Sequence, residues 1–181
     1  MKEVFAVRRL DLKVFAEEGG QIARQDDVAQ FPRLLAETQG SEVVQPVTWS
    51  AQGELRNVGH AQPGTWLLLK AQVRLPMTCQ RCLEPVEVPA EVDRWFRFVA
   101  DENVAAAQDD ESEEDLLAMS RSFDLMELLE DELLMALPVA PRHALCPGTV
   151  TLAAEDADFD PGPGPQRSPF AALQKLKTSL Q

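Results

Sequence analysis

Two of the three cysteines in the chain stand on a C-x-x-C spacing, Cys79 and Cys82 in the stretch TCQRCLEP, residues 78–85. The third, Cys146, follows His143 by three residues in PRHALCPG, an H-x-x-C spacing. Two sulfurs at that interval can form one edge of a zinc tetrahedron, and a Cys₃His set completes it. Cys79, Cys82, His143 and Cys146 are therefore candidate metal ligands, with zinc as the implied ion. A C-x-x-C pair also serves dithiol redox chemistry, but that wants its first cysteine at a helix N-terminus, where the dipole lowers the thiol pKa. Here Leu83-Glu84-Pro85 and alternating valines follow, which reads as a turn between strands. A third reading is a buried turn with inert thiols and an exposed loop histidine. Sixty residues separate Cys82 from His143, so the spacing alone leaves these readings open.

Other reactive groups are sparse. The two histidines, His60 and His143, lie far apart, and the chain has no tyrosine, no G-x-S-x-G elbow and no phosphate-binding loop. A nuclease wants clustered carboxylates with metal, or paired histidines. The Asp/Glu runs here read instead as a solvated loop over 109–115 and a helix surface over 124–132. The expectation is a protein that is not an enzyme. Arg74, Arg81, Arg94 and Arg97, with Trp95 among them, are candidate contacts to single-stranded RNA, where cations meet phosphates and an aromatic ring stacks on a base. Paired charges on a sheet face account for the same residues.

The elements that must position these groups follow from the pattern. The chain has 181 residues, enough for one domain with a core of its own. No apolar run approaches the length of a membrane span, and the N-terminal stretch lacks the features of a signal peptide. Cytoplasmic localisation is expected, and a reducing compartment argues against disulfides. Residues 1–16 form a lead-in of unassigned structure. From Asp26, the run DDVAQFPRLLAE puts Val28, Phe31, Leu34 and Leu35 on one helical face, provided Pro32 lies in the first turn. Strands are predicted at 43–50, 54–58, 66–75 and 86–99, with turn signals at Gln52-Gly53 and Gln62-Pro63-Gly64. Trp49, Trp66 and Trp95 fall in or beside them as packing residues. Residues 101–115 contain eight acidic residues and no basic one, which predicts a solvated, disordered loop. A helix follows, capped by Asp124, with Leu125, Leu128, Leu129, Glu132, Leu133 and Ala136 at helical spacing, and Pro138 stops it.

The predicted class is α+β: an antiparallel meander or partly open barrel with flanking helices and a C-terminal helix on a linker. The predicted domains are a single α+β unit over 1–150, a Pro/Gly/acidic linker over 151–168, and a helix over 169–181. In that tail Ser168 and Pro169 open a helix. Phe170, Leu173, Leu176 and Leu180 share a face, with Lys175 and Lys177 near the C-terminal end of the dipole. Phe170, Leu173, Leu176, Lys175 and Lys177 are the candidate partner-binding residues.

Charge is unevenly spread. The net charge is −13; residues 1–100 are near neutral, 101–165 hold 2 basic and 17 acidic residues, and 166–181 hold 3 basic and none acidic. An acidic middle repels a phosphate backbone and attracts a basic protein.

TCQRCLEPVEV, then FDLMELLEDELLMALPVAPRH with a following cysteine, then RSPFAALQKLK together resemble the YceD family, large ribosomal RNA subunit accumulation proteins. The family tail usually reads Asn-Pro-Phe where this chain has Ser168-Pro169-Phe170, a mild departure because both residues cap helices. The resemblance implies a cytoplasmic protein needed for the synthesis, processing or stability of 23S rRNA, and with the sparse reactive groups the expectation is a non-enzymatic ribosome-biogenesis factor. Its implied partners are a large-subunit precursor, a basic ribosomal protein or the 23S rRNA itself, with no membrane. It supplies no catalytic residue to carry over.

Overall fold

The computed structural model describes residues 5–38, 45–57, 63–109, 112 and 114–148. Its spine is one five-stranded sheet in the order β1-β2-β3-β4-β5. The strands are β1 Gln21–Asp26, β2 Val47–Arg56, β3 Gly64–Thr78, β4 Pro85–Val99 and β5 Asp115–Ala118, and the helices are α1 Leu12–Glu17, α2 Pro32–Ala36, α3 Glu102–Gln108 and α4 Leu125–Met135. The first four strands pair antiparallel, while β5 runs parallel to β4. The sheet stays open and does not close into a barrel, so the α+β class holds in its meander form with a parallel edge strand added.

Alternation along β3 sets the two faces. Leu67, Leu69, Ala71, Val73, Leu75 and Met77 are buried, while Lys70, Gln72 and Arg74 between them are exposed. Register Leu69↔Arg94 and Ala71↔Val92 carries the same buried side onto β4, where Val88, Ala90, Val92, Phe96 and Phe98 join it. Helix α4 covers this side with Leu125, Met126, Leu129 and Leu133, spaced as one helical stripe. Asp124 caps it, its Oδ1 accepting from the Met126 and Glu127 amides at 2.9 and 3.1 Å.

Several sequence expectations change. Gln52-Gly53 is not a turn: β2 passes straight through it, and the two predicted strands on either side are one. Glycine is required there for a different reason. A Cβ at Gly53 would come within 2.5 Å of the Phe15 ring, which α1 presses against the strand. Helix α1 and strand β1, both in or beside the unassigned lead-in, were not predicted. The helix expected from Asp26 divides into a 3-10 turn at Val28–Gln30 and the short α2, with Pro32 at its first position. Phe31 adopts φ −120° and ψ 81°, away from helical geometry, as a residue before proline tends to. Leu35 consequently points to solvent.

The acidic stretch after Val99 is also ordered over much of its length. Asp101 caps α3, accepting from Asn103 and Val104. Val104 and Ala105 then pack with Val99 and Leu116 on the side of the sheet away from α4. The alanine run makes the helix, and the crossover it provides returns the chain as a parallel strand. The predicted tail helix and linker lie outside the described residues, as does His60.

Two acidic residues of α4 are buried: Glu130, expected on its solvated surface, and Glu132, which the helical spacing sets among the leucines. Glu130 reaches α2, where one carboxylate oxygen accepts from the Arg33 and Leu34 amides at 2.7 and 3.2 Å and the other from Arg33 Nε at 3.1 Å. It satisfies backbone donors that a helix start leaves without partners, in a helix whose own N-cap residue supplies no side-chain bond. Glu132 accepts from Arg94, which also pairs with Asp115 and so ties α4, β4 and β5 together.

Glu130→Ala removes a buried carboxylate and leaves two amides without acceptors. It is expected to lower unfolding free energy by about 2–4 kcal/mol in urea titration, with Glu130→Gln costing less because its carbonyl still accepts. Gly53→Ala, by crowding Phe15, is expected to cost about 1–3 kcal/mol in the same assay.

Candidate metal centre

Strands β3 and β4 form a long hairpin whose tip is the stretch from Cys79 to Glu84. The tip is closed by the Cys79 amide on the Glu84 carbonyl at 3.0 Å and the Leu83 amide on the Cys79 carbonyl at 2.9 Å. Leu83 takes φ +63°, a left-handed conformation that normally favours glycine, and its side chain is exposed. That turn directs Cys79 and Cys82 to the same side.

Beyond Pro138 the chain folds back onto this tip. The Gln80 amide donates to the Pro141 carbonyl at 2.8 Å, and Arg81 Nη2 donates to the His143 carbonyl at 3.0 Å. The result brings Cys79, Cys82, His143 and Cys146 together, with one ligand atom from each within 4.8 Å of the others. Cys79 and Cys146 sulfurs lie 3.9 Å apart, and Cys82 Sγ lies 3.4 Å from His143 Nδ1. A tetrahedral ion with bonds of about 2.0–2.3 Å spaces its ligand atoms by about 3.5–3.8 Å. The cysteines are free thiols, and 3.9 Å is far beyond the roughly 2.05 Å of a disulfide.

The surroundings orient the histidine. Its Nε2 lies 2.9 Å from the Pro85 carbonyl, which can only accept, so Nε2 carries the hydrogen and the Nδ1 lone pair faces the sulfurs. A backbone acceptor on the far nitrogen is the usual way a metal-binding imidazole is held. Cys79 is fully buried. Burial raises its pKa, but backbone N–H groups of His143, Cys82 and Arg81, with the Cys82 side chain, outweigh it and hold the thiol at about 5. Cys82 goes the other way. The Glu84 N–H lowers its pKa, yet burial and the neighbouring Cys146 and Cys79 sulfurs push it up to about 11. Without an ion, the Cys82 proton is therefore well placed to bridge to His143 Nδ1. A divalent ion would displace that proton, because thiolate and not thiol is the metal ligand.

The RNA candidates are not gathered in this way. Arg94 lies on the α4 side, bound to Glu132 and Asp115. Trp95 and Arg97 lie on the opposite side of β4, with Arg97 bonded to Gln108 at 2.8 Å. The Arg56 guanidinium sits 3.5 Å over the Trp95 ring and 4.8 Å from that of Trp66. Arg74 is exposed on β3 beyond Lys70, and Arg81 belongs to the hairpin tip. Sequence reasoning passed over Arg56, whose spacing in β2 gave no sign that it would meet two tryptophans from β3 and β4. It named Arg81 but missed its place beside the sulfurs. The partner-binding candidates Phe170, Leu173, Lys175, Leu176 and Lys177 lie outside the described residues.

An open sheet backed by helices, with a Cys₃His cluster closing its longest hairpin, defines a small α+β protein with a metal-competent tip. The sequence model of one family, Large ribosomal RNA subunit accumulation protein YceD, matches residues 67–177, a stretch that takes in the hairpin, α4 and the whole cluster. The chain belongs to that family. No curated protein and no solved structure matches it.

Replacing Cys79 or Cys146 with serine is expected to abolish stoichiometric zinc in protein purified without chelator, as read by elemental analysis. Ser168→Ala, remote in sequence from the ligands, should leave it unchanged. Equal metal content in all of these proteins would remove the cluster as a metal site.

Proposed function

We propose that the protein is a non-enzymatic, cytoplasmic ribosome-biogenesis factor. It supports the synthesis, processing or stability of 23S rRNA by binding a ribosomal protein or a large-subunit precursor. The observation that carries this reading is the family match over residues 67–177, since that family is described by large ribosomal RNA subunit accumulation and not by a reaction. Among the described residues no helix is long and apolar enough to cross a membrane.

Charge supports a protein contact over a naked RNA contact. Part of the acidic middle is spent inside the fold: Asp101 and Asp124 on helix caps, Asp115, Glu130 and Glu132 on arginines and amides. Glu102, Asp109 and Glu127 remain exposed to repel phosphate or meet a basic protein. The alternative, a single-stranded rRNA module built on Arg74, Arg81, Arg94, Trp95 and Arg97, is less favoured. Its cations are split between two sides of the sheet, and its tryptophan already carries an arginine.

The Cys₃His cluster binds one zinc ion in this reading, through Cys79, Cys82, His143 Nδ1 and Cys146. Four protein ligands leave no open position for a substrate, so the ion is structural. It fastens the segment after α4 to the hairpin. The tail is a further contact, with the apolar residues Phe170, Leu173 and Leu176 entering a partner groove and Lys175 and Lys177 beside them.

Phe170→Ala combined with Leu173→Ala is expected to leave the melting temperature nearly unchanged while reducing co-sedimentation with large-subunit precursors severalfold. A large fall in melting temperature with co-sedimentation intact would overturn the tail contact. Binding of the purified protein to naked 23S rRNA is expected to be weak in near-physiological salt. Tight binding lost in the Arg94→Glu, Arg97→Glu double variant would favour the RNA module instead.

A further inference from the structure

We infer that Arg81 is the charge-compensating, outer-sphere residue of the metal centre, governing how firmly the ion is held and how readily its thiolates are attacked. This rests on the zinc reading above. Arg81 lies between the two hairpin cysteines, yet its side chain serves the distant half of the site. Nε donates to Cys146 Sγ at 3.0 Å and Nη2 to the His143 carbonyl at 3.0 Å. One guanidinium thus holds both ligand-bearing residues of the returning segment from the strand hairpin, using two teeth of its planar fork. The residue is exposed, so burial does not force this arrangement. Glu84 and Glu87 are exposed on the same end of the hairpin, and among the described residues Arg81 makes no ion pair with either.

The chemistry of the donor set explains the choice of an arginine. Three thiolates and a neutral imidazole around a divalent ion leave a single negative charge on the centre. That charge resides mainly on sulfur, which makes each thiolate a proton acceptor and a nucleophile. An N–H aimed at Cys146 Sγ draws density from the one sulfur that stands on the returning loop, where the other two stand on a hairpin turn. The Nη2 contact to His143 meanwhile holds the loop in register, so that metal arrives at a site already assembled. Arginine remains charged at any accessible pH, and its fork supplies both bonds at once. Lysine could supply the charge but not the pair of directed bonds.

The test compares full-length protein with Arg81→Ala and Arg81→Lys, all reconstituted with zinc alone. Two readouts are needed: zinc affinity by competition with a chromophoric chelator, and the rate of zinc release under excess N-ethylmaleimide, which alkylates the thiolates. Removing an outer-shell partner typically costs 10- to 100-fold in metal affinity. Arg81→Ala is expected to bind zinc about tenfold or more weakly and release it faster under alkylation, with Arg81→Lys intermediate in both. Parallel samples loaded with cobalt instead of zinc should keep equally intense thiolate-to-metal charge-transfer bands, showing the same thiolate set in place. Wild-type protein that takes up no zinc overturns the metal centre and this inference with it. Stoichiometric zinc in all three proteins, with equal affinity and equal release rates, overturns the role of Arg81 alone. An Arg81→Ala protein that loses zinc altogether while Arg81→Lys keeps it supports the role in its strongest form.

Discussion

Strands β3 and β4 pair without interruption from Thr65↔Phe98 to Thr78↔Pro85, and the remaining elements are arranged around that pairing. Its register decides which residues face α4 and which face solvent, since a slip of one position would turn every side chain to the other side. Its length carries the turn with Cys79 and Cys82 well away from the midpoint of the sheet. On the buried side it receives α4, and the segment leaving α4 is then delivered to the same tip. The cluster is thus a consequence of strand length and helix direction together. Neither half of it would find the other without the hairpin as a common rail.

The acidic character of the chain has two different physical meanings. Exposed carboxylates set the long-range field, and buried ones hold elements together. Glu130 and Glu132 sit on one helix, two residues apart, and bind opposite neighbours: the start of α2 for one, Arg94 on β4 for the other. Their desolvation is offset by directed, charge-assisted bonds, three donors for Glu130 and the Arg94 guanidinium for Glu132. Net charge alone does not distinguish these from carboxylates free to meet a partner. The distinction matters for any argument that runs from an acidic segment to a basic ligand.

Much of this was legible in the primary structure, and the failures have causes. The hairpin strands, α4 with its Asp124 cap and the four candidate ligands could all be read, because period-two alternation, helical spacing and sulfur spacing are local signals. The span of β2 was misread because Gln52-Gly53 is a turn signal locally, while the glycine answers to Phe15, more than thirty residues earlier. Helix α3 was hidden by the acidic residues on either side of its alanines. Glu130 looked like surface because its partners lie 96 and 97 residues away. The convergence of His143 and Cys146 with the hairpin was a possibility in sequence and required the fold to bring it about. For β2 and Glu130 the deciding contact was long-range, and local propensity yielded to it; for α3 the deciding signals, the alanine run and the Asp101 cap, were local and lay among acidic residues that read as loop.

The Glu130 contact also bears on the order in which the chain can fold as it is made. Helix α2 has five residues, far below the length at which an isolated helix persists in water. Its amides are satisfied by a side chain that is synthesised almost a hundred residues later. The meander from β1 to β4 can assemble from neighbours as they emerge, since each strand pairs with the next. Helix α2 must instead wait for α4 to dock, and until then Phe31 and Leu34, both buried in the finished protein, stay uncovered. Helix α2 is therefore among the last parts to settle although it is made early, and a nascent chain of this protein depends on prompt completion for that stretch of apolar surface to be hidden.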